Sequence, residues 1–500
     1  MPAATLWWLP AFLSRYGLFT VYKQGLTKAT FCAAILLTAV SKMARVVRSV
    51  SRHAKLQGGL LMNPKTVKKA LKDAIQAMTD YKWLFSARPG KDNTRNRKFP
   101  FQKVIPFILA FRGGTLNHEI MDFFGLDPSA GTSSAFIQRR STILPEAFES
   151  LFHDFSRSVD ENKLYRGLRL LAVDGSDLQI AANPDDPDSY YPGANGQRAY
   201  NLLHINAMYD LHQHIYVDAL VQKSRKADES AALTAMVDRS AIESALLLAD
   251  RGYESYNNLA HIQEKGWNFL IRIKDGTAGI ASGLALPATD EFDVPFHLKL
   301  TNKQSNEVKE LLRDKNHYRH ITNAIRFDYL PRTSRKHDPA VFFELHFRIV
   351  RFPISDTACE TIITNLDASA FPLHDIKRLY AMRWGIETSF RNLKHTLGLL
   401  HLHAKKVEFV LQEIFAKLTM YNFCELIAQS VVIRQAQKTH TYKVNFSDAV
   451  HICRQFFLGA VPPPILEAML MRYISPIRPG RKDTRKLTQK SSDSFTYRVA

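Results

Sequence analysis

Between Asn63 and about Glu149 the apolar residues return every three or four positions, the spacing of helices that bury one face. The stretch NPKTVKKALKDAIQAM places Asn63 as a cap and Pro64 in the first turn, so a helix is predicted to start there. At Leu168 the pattern changes. LRLLAVDGSDLQI is a short apolar run of the kind buried on both faces of a sheet, and it delivers an acid, Asp174, at its end. LLHINAMYDL and HIYVDALVQ read as two more strands joined by a polar turn, and DESAALTAMVDRS reads as a helix. SALLLADRGY is another apolar strand that ends on an acid, Asp250. NNLAHIQEKG is a helix closed by Gly266, and WNFLIRIK is a further strand. This alternation predicts an α/β layered core whose first part spans 165–274.

Residues 275–368 interrupt the order with β-rich pieces, VFFELHFRIVRF and TIITNLD, among polar loops such as PRTSRKHD, and are read as an inserted subdomain. The core resumes over 369–404 with YAMRWGIETSFRNLK, predicted as one amphipathic helix. At about 100° per residue, Tyr380, Arg383, Glu387 and Lys394 fall on a single narrow stripe beside the apolar face of Leu379, Ile386, Phe390 and Leu393. Trp384 is expected to pack. A long helix over 406–434 follows and is the candidate dimer surface, within a C-terminal helical region and basic tail, 405–500.

Composition adds a partner. A formal charge of +20 and a pI near 9.7 call for an extended anion, nucleic acid first and a membrane surface second. In the helical region 63–150, KWLFSARPGKDNTRNRK carries six basic residues against one acid, and SSAFIQRRSTI exposes Gln138, Arg139 and Arg140; both suit DNA contacts, and both are equally consistent with solvated surface. Residues 1–62 hold eight Lys or Arg and no acid, and their apolar stretch from Ala29 to Val40 is short of a bilayer span. This atypical extension is read as a start placed upstream of the true one, at Met43 or Met62. Cys32, Cys359, Cys424 and Cys453 lie far apart without CxxC spacing, which excludes a zinc ribbon or disulfide framework and suits reduced thiols.

Asp174, Asp250 and Glu387 sit at two strand ends and on the core edge of a helix, positions from which three carboxylates can converge. Such a set repels itself unless a cation neutralises it, and oxygen-only ligands favour Mg²⁺, with Mn²⁺ as a substitute. Two ions about 3.5 to 4 Å apart suit in-line attack on a phosphodiester. Arg383, Lys394 and the Tyr380 hydroxyl are donors for the phosphates. Taken singly, an acid after a strand is more often a turn or cap residue than a metal ligand, and Glu387 can pair with Arg383 or Arg391 at helical spacing; the stripe is what favours the convergent reading.

The spacing Tyr380-x2-Arg383-x3-Glu387-x6-Lys394 resembles the YREK signature of bacterial DDE transposases of the insertion-sequence-four family, and VDGS and ADRGY resemble the settings of that family's first two acids. The resemblance covers roughly Leu168 to Leu400. It implies an RNase H-like, retroviral-integrase-like core that works as a homodimer on double-stranded DNA in the bacterial cytoplasm, at the nucleoid. Asp174, Asp250 and Glu387 would be catalytic and hold two Mg²⁺, while Tyr380, Arg383 and Lys394 would contact DNA phosphates. The element would be cut at its terminal inverted repeats, first by water and then with the freed 3′-hydroxyl as nucleophile on the target. Family members stack a flipped base on a tryptophan of the insertion; this insertion has none, and Tyr318, Phe327 or Tyr329 would have to serve. Two alternatives stand beside the transposase: a DNA-binding regulator that no longer cuts, and a hydrolytic nuclease without strand transfer.

Overall fold

The computed structural model describes residues 63–477 apart from 96, 194–197, 275–278, 332–338, 356–357 and 432–440, together with the backbone of 496–497. The N-terminal extension, the loop PRTSRKHD beyond Pro331 and most of the basic tail lie outside the described residues.

Five helices come first: α1 (Pro64–Asp80), α2 (Phe101–Ala110), α3 (Leu116–Phe123), α4 (Ser133–Arg140) and α5 (Glu146–Ser158). Asn63 caps α1 as the sequence implies, its Oδ1 accepting the Thr66 N–H at 3.0 Å with Pro64 in the first turn. Then come β1 (Arg169–Ile180), β2 (Tyr190–Tyr191), β3 (Tyr200–Asp210), β4 (Ile215–Lys223), α6 (Glu229–Arg239), β5 (Ala245–Ala249), α7 (Tyr256–Glu264) and β6 (Asn268–Arg272). The interrupting region supplies β7 (Phe292–Thr301), α8 (Asn306–Leu311), β8 (Tyr318–His320), β9 (Phe343–Ser355) and β10 (Ala358–Thr364). After it run α9 (Leu373–Met382), α10 (Trp384–Arg391), a π-helical turn (Asn392–Thr396), β11 (His401–Leu402), α11 (Val407–Ser430), β12 (Tyr442–Val444), α12 (Phe446–Leu458) and α13 (Pro463–Arg472).

One ten-stranded sheet organises the chain, in the order β2-β3-β1-β5-β6-β10-β9-β7-β8 with β4 on β3. β1, β5 and β6 are mutually parallel and central, which is why their sequences are continuous apolar runs. The strands of 275–368 join this sheet through β6 and β10, antiparallel, rather than forming a sheet of their own. Along the central strands the side chains alternate between two cores. Leu170, Ala172, Leu246 and Leu248 face one that is shared with α1 to α5 and α9 to α13; Leu171, Val173, Leu247 and Ala249 face the other, covered by α6 and α7.

Three expectations are corrected. The long helix α11 is enclosed: Gln412 to Cys424 are all buried, so it is the central pillar of the first core and not a dimer surface. Its polar side chains are spent inward. Glu413 pairs with Arg140 at 2.9 Å and with His403 at 3.2 Å, Gln412 accepts from Arg140 at 2.7 Å, and Asn422 accepts the Tyr216 N–H at 2.8 Å. Arg140 is therefore buried rather than exposed to DNA, while Gln138 on the same helix is exposed. The YREK segment is also not one regular helix. At Arg383 the amide bonds reach three residues back (Arg383 to Tyr380, Ile386 to Arg383), α10 starts afresh, and the π turn begins at Asn392. Gly385 meets the sheet here: a Cβ on it would sit 3.0 Å from Leu211.

Candidate active site

β1 and β5 pair in parallel up to Ala172 opposite Leu248; two residues past that pair, Asp174 lies inside β1, which runs on to Ile180 and does not end at the acid as the sequence suggests, and Asp250 lies just beyond the end of β5. Both acids have the parity of Leu170 and Leu248 and therefore face the first core, the side on which α9 and α10 lie. Each carboxylate accepts from a nearby backbone amide: Gly175 N–H, the next residue of β1, donates to Asp174 Oδ1 at 2.9 Å, and Gly252 N–H, in the turn after β5, to Asp250 Oδ1 at 2.8 Å. Ile386 and Phe390 anchor α10 on the core, which leaves Glu387 at its border with a third of its side chain exposed.

The three acids share one field. Burial is the main reason that the Asp174 carboxyl is pushed up to about 6, and the nearby charges of Asp250 and Glu387 raise it further; the Gly175 N–H and Arg383 act in the opposite direction. An acid crowded by two like charges is what a divalent cation relieves, and three carboxylates are the oxygen donor set such a hard ion takes. Glu387 is held by Arg383 Nη2 at 2.7 Å. Arg383 itself is buried, with the Tyr380 ring 5.7 Å and the Trp384 ring 5.1 Å from its guanidinium carbon, and its Nε finds no partner. Lys394 donates to the backbone carbonyl of Asp177 at 2.7 Å, fastening the π turn to β1. Tyr380 is buried, and its phenol is pushed up to about 12 chiefly by desolvation. Trp384, expected to pack, is 56% exposed because it precedes the inward positions Ile386 and Phe390.

Among the described residues, the set of potential ligands whose donor atoms all lie within 4.8 Å of one another is a different one, His297, Glu344 and His346. It sits on the outer strands β7 and β9, with Lys299 also on Glu344 at 3.2 Å. Two imidazoles and one carboxylate suit a borderline transition ion, not the oxygen-only site expected for Mg²⁺.

Two features escaped the sequence reading. Asp177, His204 and Glu229 form a linked group beside Asp174, visible only once the register of β1 on β3 is known. The loop 88–98 and α4, noted separately in the sequence, together line a cavity of about 730 Å³ with Arg88, Lys91, Arg95, Arg97, Lys98 and Arg139.

The sequence profile described as Transposase DDE domain matches residues 165–423, which contain all three acids. Transposase InsG for insertion sequence element IS4, from Escherichia coli strain K12, is 23% identical over 405 residues, covering 77% of this chain and 82% of that protein. A solved structure, the piggyBac transposase synaptic complex with hairpin DNA, aligns over 85% of this chain and 88% of that one at 10% identity, with a TM-score of 0.41. No helix among the described residues is long and apolar enough to cross a membrane. With more than half of its length inside the family profile, this chain belongs to the DDE transposases, of the IS4 type: a DNA transposase that cleaves and transfers DNA strands.

Proposed function

We propose that Asp174, Asp250 and Glu387 are the catalytic acids, that they hold two Mg²⁺ or Mn²⁺ ions, and that the surrounding sheet and helices are an RNase H-like core. The observation that supports this reading is that the charges of Asp250 and Glu387 both act on the Asp174 carboxyl, from the adjacent strand end and from α10. Divalent cations held there supply Lewis-acid stabilisation to the attacking and leaving oxygens of a phosphodiester displacement. The chain's own part is to orient. The Gly175 and Gly252 amides fix the two aspartates. Arg383 releases Glu387 and turns its guanidinium, with the unpartnered Nε, toward a phosphate. Lys394 keeps a cation near the strand end, and Tyr380 acts by supporting Arg383, since its ring is enclosed.

The substrate is double-stranded DNA at the terminal inverted repeats of the element, cut by water and joined to target DNA by the freed 3′-hydroxyl, with two copies of the chain on the DNA in the bacterial cytoplasm. Region 63–150 grips the ends: the basic cavity between loop 88–98 and α4 gathers the positive charge that phosphate contacts require. The test mixes purified protein with DNA carrying the ends that flank its gene, in Mg²⁺. Wild type should give excised and joined products, whereas Glu387→Gln should bind the same DNA and cut none of it. Cleavage by the variant at the wild-type rate would overturn the assignment.

A further inference from the structure

Behind Asp174, on the opposite face of β1, Asp177 is the cross-strand partner of His204 on β3. His204 Nδ1 lies 2.7 Å from Asp177 Oδ1, and its Nε2 lies 3.0 Å from Glu229 Oε1, an ion-pair contact whose angle is poor for a hydrogen bond. Glu229 is the first residue of α6, whose cap is Asp228. Burial would lower the basicity of this imidazole, but the two flanking carboxylates outweigh it and push His204 up to about 9, so it is a cation at neutral pH. A charged group buried at 9% exposure between two acids has a reason to be there.

The reason lies in the glycines. A Cβ on Gly175 would come within 2.4 Å of His204 Nε2 and 2.7 Å of Glu229 Oε1, and a Cβ on Gly252 would sit 3.5 Å from Glu229 Oε2. One carboxylate therefore packs against Gly175 of β1, whose amide holds Asp174, and lies near Gly252, whose amide holds Asp250. His204 and Asp177 in turn hold that carboxylate in place. Gly175 leaves no room for a side chain between the brace and the backbone that carries Asp174, whereas a Cβ on Gly252 would meet Glu229 at ordinary contact distance.

We propose that the Asp177–His204–Glu229 chain is a positioning device that sets the spacing of Asp174 and Asp250 from behind the sheet, and so sets the affinity and geometry of the divalent-cation site. The proposal rests on the assignment of the acids made above. Glu229 and His204 touch neither DNA nor cation in this account; they act through Gly175 and Gly252.

The test measures Mn²⁺ binding to the full chain by calorimetry and by electron paramagnetic resonance, alongside DNA binding, melting temperature and the metal dependence of cleavage. Glu229→Gln keeps the shape of the side chain and loses the charge that holds His204. It should weaken Mn²⁺ binding by roughly ten- to a hundredfold, as loss of a ligand-orienting partner does. Cleavage should then need correspondingly more Mg²⁺ for half its maximal rate and be partly rescued by Mn²⁺, with DNA affinity unchanged and a melt that stays cooperative but falls by a few degrees, because His204 loses one of its two carboxylates. Gly175→Ala, which displaces His204 and Glu229 sterically, should also weaken Mn²⁺ binding, at some cost in melting temperature, and Glu229→Asp should recover part of the affinity. Unchanged Mn²⁺ affinity in a folded Glu229→Gln variant overturns the proposal, and so does loss of cleavage with metal affinity intact. If wild type itself binds no Mn²⁺ that Asp174→Asn removes, the assignment of the acids has failed instead, and the two failures are thereby told apart.

Discussion

Replacing Asp174 with Asn should remove cleavage and, in the absence of divalent ions, make the protein more stable. The carboxyl sits at about 6 rather than its ordinary 3.8, chiefly because it is buried and further because Asp250 and Glu387 lie near. A folded-state pKa raised above the unfolded one means that the native chain binds the proton more tightly. Stability contributed by this group is therefore full below about pH 4, falls as pH rises from 3.8 to 6, and stays lost above. A rise of about two units corresponds to about 3 kcal/mol of penalty on the ionised form at pH 7.5. Asn keeps the shape, can still accept from the Gly175 amide, and removes the charge, so up to about 3 kcal/mol should be regained, or a rise of several degrees in melting temperature. The assay is a pair of melts in EDTA, at pH 7.5 and at pH 4.5. The variant should gain at pH 7.5 and show little gain at pH 4.5, where wild-type Asp174 is protonated. Adding Mg²⁺ at pH 7.5 should then stabilise wild type more than the variant. A variant less stable than wild type at pH 7.5 in EDTA, or a gain that does not depend on pH, would refute the electrostatic reasoning.

Three further outcomes follow from other parts of the structure. Glu413→Leu leaves Arg140 in the core beside α11 without its carboxylate and should cost about 3 to 5 kcal/mol in urea unfolding; a loss under about 1 kcal/mol would show that Gln412 and the Phe409 carbonyl suffice to hold the guanidinium. Arg139→Ala and Lys91→Ala, in the basic cavity, should each weaken binding to element ends about equally for all sequences and reduce the slope of log affinity against log salt by about one, and an unaltered slope would remove the cavity from the DNA path. Trp384→Ala should leave stability within about 0.5 kcal/mol in urea unfolding, since the indole is exposed, and a loss above about 1 kcal/mol would show that it packs after all.

The sequence made the central strands plain because β1, β5 and β6 are enclosed on both faces and so read as unbroken apolar runs, and it singled out Asp174 and Asp250 because an acid breaks each run there, although β1 continues past Asp174 to Ile180. What it hid depends on partners far along the chain. Arg140 looked like surface until Glu413, more than 270 positions later, was seen to hold it. The helix over 406–434 read as a candidate dimer surface, yet its Gln412, Glu413 and Asn422 are answered by Arg140, His403 and Tyr216 inside the core. The break at Arg383 left no mark in the hydrophobic period, since its backbone stays helical and only the hydrogen-bond reach shortens. His204 gave no sign because its meaning lies in a cross-strand register and in what two glycines exclude.

The central claim is that Asp174, Asp250 and Glu387 together bind the ions used in strand cleavage. Crystals of the protein with element-end DNA, soaked in Mn²⁺ and measured at the manganese edge, test it most directly. The account predicts anomalous peaks bounded by these three carboxylates and lost in Glu387→Gln. Peaks confined to His297, Glu344 and His346, or none within reach of Asp174 and Asp250, would contradict it.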